Sequence, residues 1–300
     1  MMHKILLLGL TMLFAFITPA CGSNSSATDK SNTLKAEDIV KKARKGSPVN
    51  YDGVTIQGDL LLSDLAEQNI TFANCTFEGN VISNPATVFR TLSFTDCTFS
   101  AKLSFRNTVI DGNFILSNCA VKGNADFSGA LFRAGGSFNK SNFDSDASFV
   151  SAVFARRVGM VGVIFSADAS FQYARFEDII MFSDSRFGAY ADFSKVYCTA
   201  QIDFTNCHFF ARATFQSATF LNNLQLAKTT FDNQTTISNC LILGTLSLID
   251  AQFQAHLIFT DNVLARSPRN SGLKKGKDFV CEQSDNRLIP ATEINISEAK

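Results

Sequence analysis

The chain has 300 residues, as many acidic as basic side chains, 30 Phe and no Trp. Its 46% apolar content suffices for a large interior, and no run of like charge is long enough to form a nucleic-acid arm. Residues 22–49 carry six Lys/Arg against three Asp/Glu, residues 50–264 carry 13 against 19, and residues 265–300 carry seven against five.

Residues 1–20 read as an export signal. Met1-Met2-His3-Lys4 is a short basic segment, Ile5–Ile17 is apolar but short for a membrane span, and Thr18-Pro19-Ala20 supplies small residues for cleavage. Cys21 follows, and then Gly22-Ser23-Asn24-Ser25-Ser26. This segment resembles a bacterial lipoprotein signal, although Thr18 stands where such signals usually carry Leu. The resemblance implies lipidation at Cys21 and a hold on a membrane through it, with the mature chain facing the periplasm or exterior at the outer membrane or cell surface. The alternative is ordinary cleavage after Ala20, with Cys21 left as a free thiol. Residues 21–33 then form a flexible, polar tether.

Residues 34–66 are expected to cap an array. Within them 34–45 predicts a short helix, with Leu34, Ile39, Val40 and Ala43 on one side and Lys35, Lys42 and Lys45 on the other. Gly46-Ser47-Pro48 stops it.

From Phe72 to Leu264, Phe recurs at alternating steps of five and six, and 24 of the 30 Phe fall on that ladder. Phe94, Phe105, Phe127, Phe138, Phe149, Phe171, Phe182, Phe193, Phe204 and Phe215 are its core rungs. Two residues before each central Phe stands a small or apolar residue, such as Ala125, Ala147, Ala169 or Ala191, with Ser141 and Ser185 as substitutes where the slot is still small. The residues flanking each ring are polar and varied. In–out alternation over three residues is the strand period, and a turn at every ladder step forces a coil. A four-sided coil returns to the same side at i + 22, and a three-sided one at i + 33. With four sides, residues 72–264 make nearly nine turns and a rod on the order of 40 Å at the strand spacing.

Ala-Asp-Phe-Ser-Gly (125–129) and Ala-Asp-Phe-Ser-Lys (191–195) resemble the signature of pentapeptide-repeat proteins. The resemblance covers about residues 70–264. It implies an all-β fold, a right-handed quadrilateral parallel β-helix over residues 67–264 with a short N-terminal helical cap. It says little about activity, because the motif residues are structural. Residues 265–300 have no ladder and read as a polar tail, with at most a short capping piece at Asp278–Cys281.

Cys75, Cys97, Cys119 and Cys207 differ by multiples of 22 and share one side of a four-sided coil, in the small inward slot. They read as small fillers. A disulfide is the competing reading in an oxidising compartment, and a row of identical ligands without His does not make a tetrahedral metal site. Cys198 occupies a ladder position, and Cys281 lies in the tail. His208 and His256 read as solvated or structural. Asp126, Asp192 and Asp203 precede ladder residues and read as parts of the repeat, against a sugar-cleaving alternative. Arg156-Arg157 reads as a solvated corner pair. Outward Val150, Val153, Val161, Ile164 and Met181 do not read as one patch.

The expectation is a non-catalytic, membrane-anchored β-helical module for binding or structure, with no cofactor and no metal. Its partners would be the membrane, an unidentified protein or cell-envelope component, and a second rod met end to end; no nucleic acid is expected. The alternatives are a DNA-mimicking topoisomerase inhibitor, set back by export and by a weak −6 charge over 50–264, and a polysaccharide-active β-helix enzyme.

Overall fold

The computed structural model describes residues 32–66 and 68–289. The export segment and Cys21 lie outside the described residues, as do 290–300.

Each repeat builds a strand of two or a few residues. At Leu131–Phe132, for example, Leu131 points out and Phe132 is buried, and the same alternation holds at Asn142–Phe143 and Val153–Phe154. A strand this short is stable only because parallel copies stack on both sides of it. Leu131 pairs with Val109 and Val153, one turn below and one above. The stacks form four sheets of 12, 11, 10 and 10 strands, which settles the coil as four-sided and excludes the three-sided alternative. In chain order the faces are called first (Thr98–Phe99, Asn142–Phe143), second (Leu103–Ser104, Ala125–Asp126), third (Val109–Ile110, Leu131–Phe132) and fourth (Phe114–Ser117, Gly136–Ser137). The third face lies opposite the first.

The two step lengths have different corners. In the shorter step Ala130 N–H donates to Phe127 O at 3.0 Å, Gly129 has φ of +66°, and the corner is a type II turn. The same bond recurs at Ala152, Ala174 and Ala251. Positive φ recurs at the matching corners, at Lys140, Ser151, Gly162, Tyr173, Asp184, Lys195 and Asn206. A β-carbon on Gly129 would also strike the Asn107 side chain of the turn below.

The interior is a stack of rings. Phe127, Phe149, Phe171 and Phe193 lie face to face at centroid spacings of 4.9, 4.7 and 4.8 Å. Phe182 meets Phe171 edge-on at 5.2 Å, a favourable quadrupole arrangement. All ten core rungs named above are fully buried. Phe89 and Phe114 join them. Phe89 falls outside the arithmetic ladder because the Asn84–Thr87 turn holds one extra residue and the next corner one fewer, so that Val109 pairs with Val88 rather than with Thr87. Phe114 fills the space that its inward neighbour Gly136 leaves, and its ring lies 5.1 Å from Phe138.

The ends differ from the sequence expectation. The helix is Ala36–Arg44, shorter than 34–45, because Leu34 and Lys35 pair as strand with Ile56 and Gln57. It buries Ala36, Ile39 and Ala43 over the first turn, with Glu37 and Asp38 near its N-terminus and Lys41, Lys42 and Arg44 near its C-terminus. The 34–66 cap is therefore a helix plus a true first turn, since Val49–Asp52 pairs in register with Ile70–Ala73. At the other end 265–289 is not a loose tail. Lys274–Lys275, Val280–Ser284 and Arg287–Leu288 stack on the turn below as a last coil. Lys275, Cys281 and Gln283 take the registers of Phe253, Leu257 and Phe259 there, and all three are exposed. Polar residues tolerate this position because no further turn among the described residues covers it. No helix among the described residues is long and apolar enough to cross a membrane.

Candidate interaction surfaces

The small slot at each corner does more than save space. Ser185 Oγ donates to Met160 O at 2.7 Å and accepts from Val163 N–H at 2.9 Å. It thus inserts between the two groups that would close the turn one coil below. Ser141 does the same between Leu116 O and Cys119 N–H, at 2.7 and 3.1 Å. Asn262 spans Ile237 O and Cys240 N–H at 2.8 and 2.9 Å. A short polar side chain here satisfies two buried backbone groups at once.

The cysteines use the same geometry. Cys75, Cys97, Cys119 and Cys207 are buried, and all are free thiols. Cys97 Sγ donates to Phe72 O at 3.4 Å, Cys119 to Phe94 O at 3.4 Å, and Cys207 to Phe182 O at 3.0 Å. Cys240 is in the same class at the opposite corner, donating to Phe215 O at 2.8 Å. Hydrogen bonding to Cys119 pushes the Cys97 thiol up to about 12, and burial does the same to Cys240. Burial also raises Cys198 and Cys207, and the Cys97 side chain, followed by burial, raises Cys75. Such thiols stay protonated and unreactive at neutral pH. Among the described residues no group of three or more His, Cys, Asp or Glu is placed to hold a metal ion.

The three acids are occupied locally. Asp126, Asp192 and Asp203 accept the N–H of Ser128, Ser194 and Thr205, two residues on, at 3.0, 2.8 and 2.8 Å. This is a turn-forming bond rather than a paired catalytic arrangement. Arg156 and Arg157 are exposed at a corner. Stacking does bring together what the linear sequence separates. His208 Nε2 lies 2.7 Å from Asp232 Oδ2, one turn and two residues away, and its ring stacks on half-exposed Phe210 at 3.7 Å. His256 lies 3.3 Å from Glu282. Folding the sequence at one turn and looking two positions further on would have found the first pair.

The outward faces are unlike one another. The first face shows Thr76, Thr98, Ala120, Asn142, Ile164, Arg186, His208 and Thr230, and the second shows Ser104, Asp126, Ser148, Ser170 and Asp192. The third shows a column of Val88, Val109, Leu131, Val153, Arg175, Tyr197, Thr219, Leu241 and Val263. Seven of these nine are apolar or aromatic. The sequence reading saw no single patch among Val150, Val153, Val161, Ile164 and Met181; the register places Val153 alone of these in this stripe. One charged row crosses the stripe, where Arg175 Nε pairs with Glu177 Oε1 at 2.8 Å and its guanidinium rests 4.9 Å from the Tyr197 ring centre. The open last turn holds a cavity of ≈ 380 Å³ lined by Ile237, Leu257, Phe259 and Phe279, with Lys275 at its edge.

No curated protein matches the chain, and neither does any solved structure. Residues 149–196 match the family model described as pentapeptide repeats (9 copies), which supports the pentapeptide-repeat family for this four-sided β-helix.

Proposed function

We propose that the chain is a non-catalytic binding or structural module, exported and held at a membrane by lipidated Cys21, that displays its β-helix outside the cytoplasm. The pentapeptide-repeat fold supports the coarser statement of a non-enzymatic structural or binding module. One observation carries the reading furthest: the side chains that looked chemically active in the sequence are engaged in turns and packing. The cysteines donate to ladder carbonyls, and the acids accept N–H groups of their own corners. What remains for recognition is the outer surface, where one face carries a mostly apolar column. The N-terminal pattern Thr18-Pro19-Ala20-Cys21 and its Ser/Asn tether support the anchor. The uncovered edges of the last described turn suit a second rod met end to end.

Fractionation of cells with mass spectrometry of the mature N-terminus tests the proposal. The expected product starts at Cys21, carries acyl chains and sits in the membrane fraction. A soluble product with a free Cys21 thiol ends the anchor, and an uncleaved chain in the cytosol ends the whole reading.

A further inference from the structure

We propose that two copies of this chain pack side by side and parallel through the third face. The observation is the stripe of Val109, Leu131, Val153, Tyr197, Leu241 and Val263, on a sheet whose opposite face is mostly polar. An apolar column of this length, interrupted at Arg175 and Thr219, marks a candidate interaction site.

The charges identify the occupant. A two-fold axis in the interface and parallel to the rod sets each row against itself with its two outward columns exchanged. Arg175 of one copy then meets Glu177 of the other, twice, while Leu241 meets Leu243 and Val153 meets Ala155. An antiparallel pairing about the same row sets Arg175 against Arg175. Arg175–Glu177 and Arg133–Asp111 are both closed within one copy, at 2.8 and 2.6 Å; the parallel pairing lets the first become a reciprocal four-membered cluster and sets Arg133 and Asp111 beside Leu131 and Val109 of the other copy. A lipid surface fits less well, because the face carries Asp111 and Glu177 among Arg90, Arg133 and Arg175 rather than the basic rim that anionic headgroups attract.

Size sets the strength. From Val88 to Val263 the stripe rises eight strand steps, about 38 Å at ~4.8 Å each, on a face about 13 Å wide at four residues per side. That is on the order of 1,000 Å² for both copies, the lower bound of a specific interface. Pairing is therefore weak in free solution and gains from confinement to one surface. The parallel sense rests on the anchored reading, since it lets both tethers leave from the same end.

A photo-crosslinking residue placed in the full chain in cells tests this. At Thr219 it is expected to yield an adduct of twice the chain mass; at Ser170 on the second face and Thr230 on the first it yields none. Arg175→Glu is expected to lower the Thr219 adduct at least tenfold without moving the unfolding midpoint, and Arg175→Glu with Glu177→Arg restores it. No adduct at Thr219, an adduct to lipid or to a different protein, or a dimer trapped only from a probe at Glu282 in the last turn overturns the proposal. So does a Thr219 dimer indifferent to the charge reversal. The mature N-terminus is read in the same cells: a missing Thr219 adduct from a chain with acylated Cys21 ends the pairing, whereas a free Cys21 thiol ends the anchor, so the two failures are told apart.

Discussion

At Phe171 the ring is fully buried between Phe149 and Phe193, with centroids 4.7 and 4.8 Å away. Phe171→Ala removes it from a stack that cannot collapse along the axis without breaking strand pairing, and the expected loss is about 3–5 kcal/mol. Gln172→Ala, one residue on and partly exposed, is expected to stay within about 0.5 kcal/mol. Denaturant titration of both variants checks this, and equal losses would contradict the inward–outward assignment. The slot thiols give a pH signature. Cys240 is held up to about 12 from its ordinary 9.0 by burial. Above pH 9 the unfolded chain loses that proton while the folded chain keeps it, so the unfolded state binds fewer protons and stability falls with rising pH. The fall runs from about pH 9 to about pH 12 and is absent below 9. Unfolding midpoints across that window are expected to decline less steeply in Cys240→Ala than in the parent chain; identical slopes would mean that the thiol titrates normally.

At the scale of the corner, a turn is closed either by its own N–H···O bond or by a side chain from the next coil. Ser185 is of the second kind, so Ser185→Ala leaves Met160 O and Val163 N–H without the hydroxyl that joins them. The expected cost is about 1–3 kcal/mol, read from the shift in a urea midpoint. Ala occupies the equivalent place at Ala174 at no such cost, because the turn one coil below it closes itself, through Ala152 N–H donating to Phe149 O. The conformation of the corner makes a separate prediction. Lys140 has φ of +59°, a region that costs an L-residue about 1–2 kcal/mol. Lys140→Gly is therefore expected to hold or raise the thermal midpoint and Lys140→Val to lower it, since a β-branched residue fits this region worst. These corners show what the sequence could and could not carry. Repetition of Phe and of the small slot made the coil, its inside and the length of its turn readable, because each unit meets the same packing problem. Ser141 and Ser185 were read only as small residues, since their partners Leu116 and Met160 lie more than a full turn back in the chain and hydrogen bonding leaves no periodic trace there. The ends were misread for the opposite reason. Lys275, Cys281 and Gln283 continue the backbone register with polar side chains, so the hydrophobic pattern stops one turn before the strands do.

At the scale of the rod, the core pattern repeats at every half turn but the faces repeat only at every full turn, because a half-turn shift carries the third face onto the first. The stripe was not evident from single residues for this reason: Val153 and Ile164 look equivalent in the core pattern and sit on opposite faces. The two periods can be separated by deletion. Removing residues 144–165 takes out one whole turn and leaves every outward column continuous. Removing 133–143 takes out half a turn. The inward ladder and the positive-φ corners still align, because both have the shorter period, so a stacked-coil protein can interpret each deletion as a shorter rod. In the half-turn variant, however, the column of Val109 and Leu131 continues into Ile164, Arg186 and His208, and the apolar column of Tyr197, Leu241 and Val263 moves to the opposite side. Both variants are expected to keep β circular dichroism and a cooperative thermal transition. Only the whole-turn variant is expected to keep the dimer trapped from Thr219. Loss of folding in the half-turn variant would show that the outer columns, and not the ring stack alone, specify how one coil sits on the next.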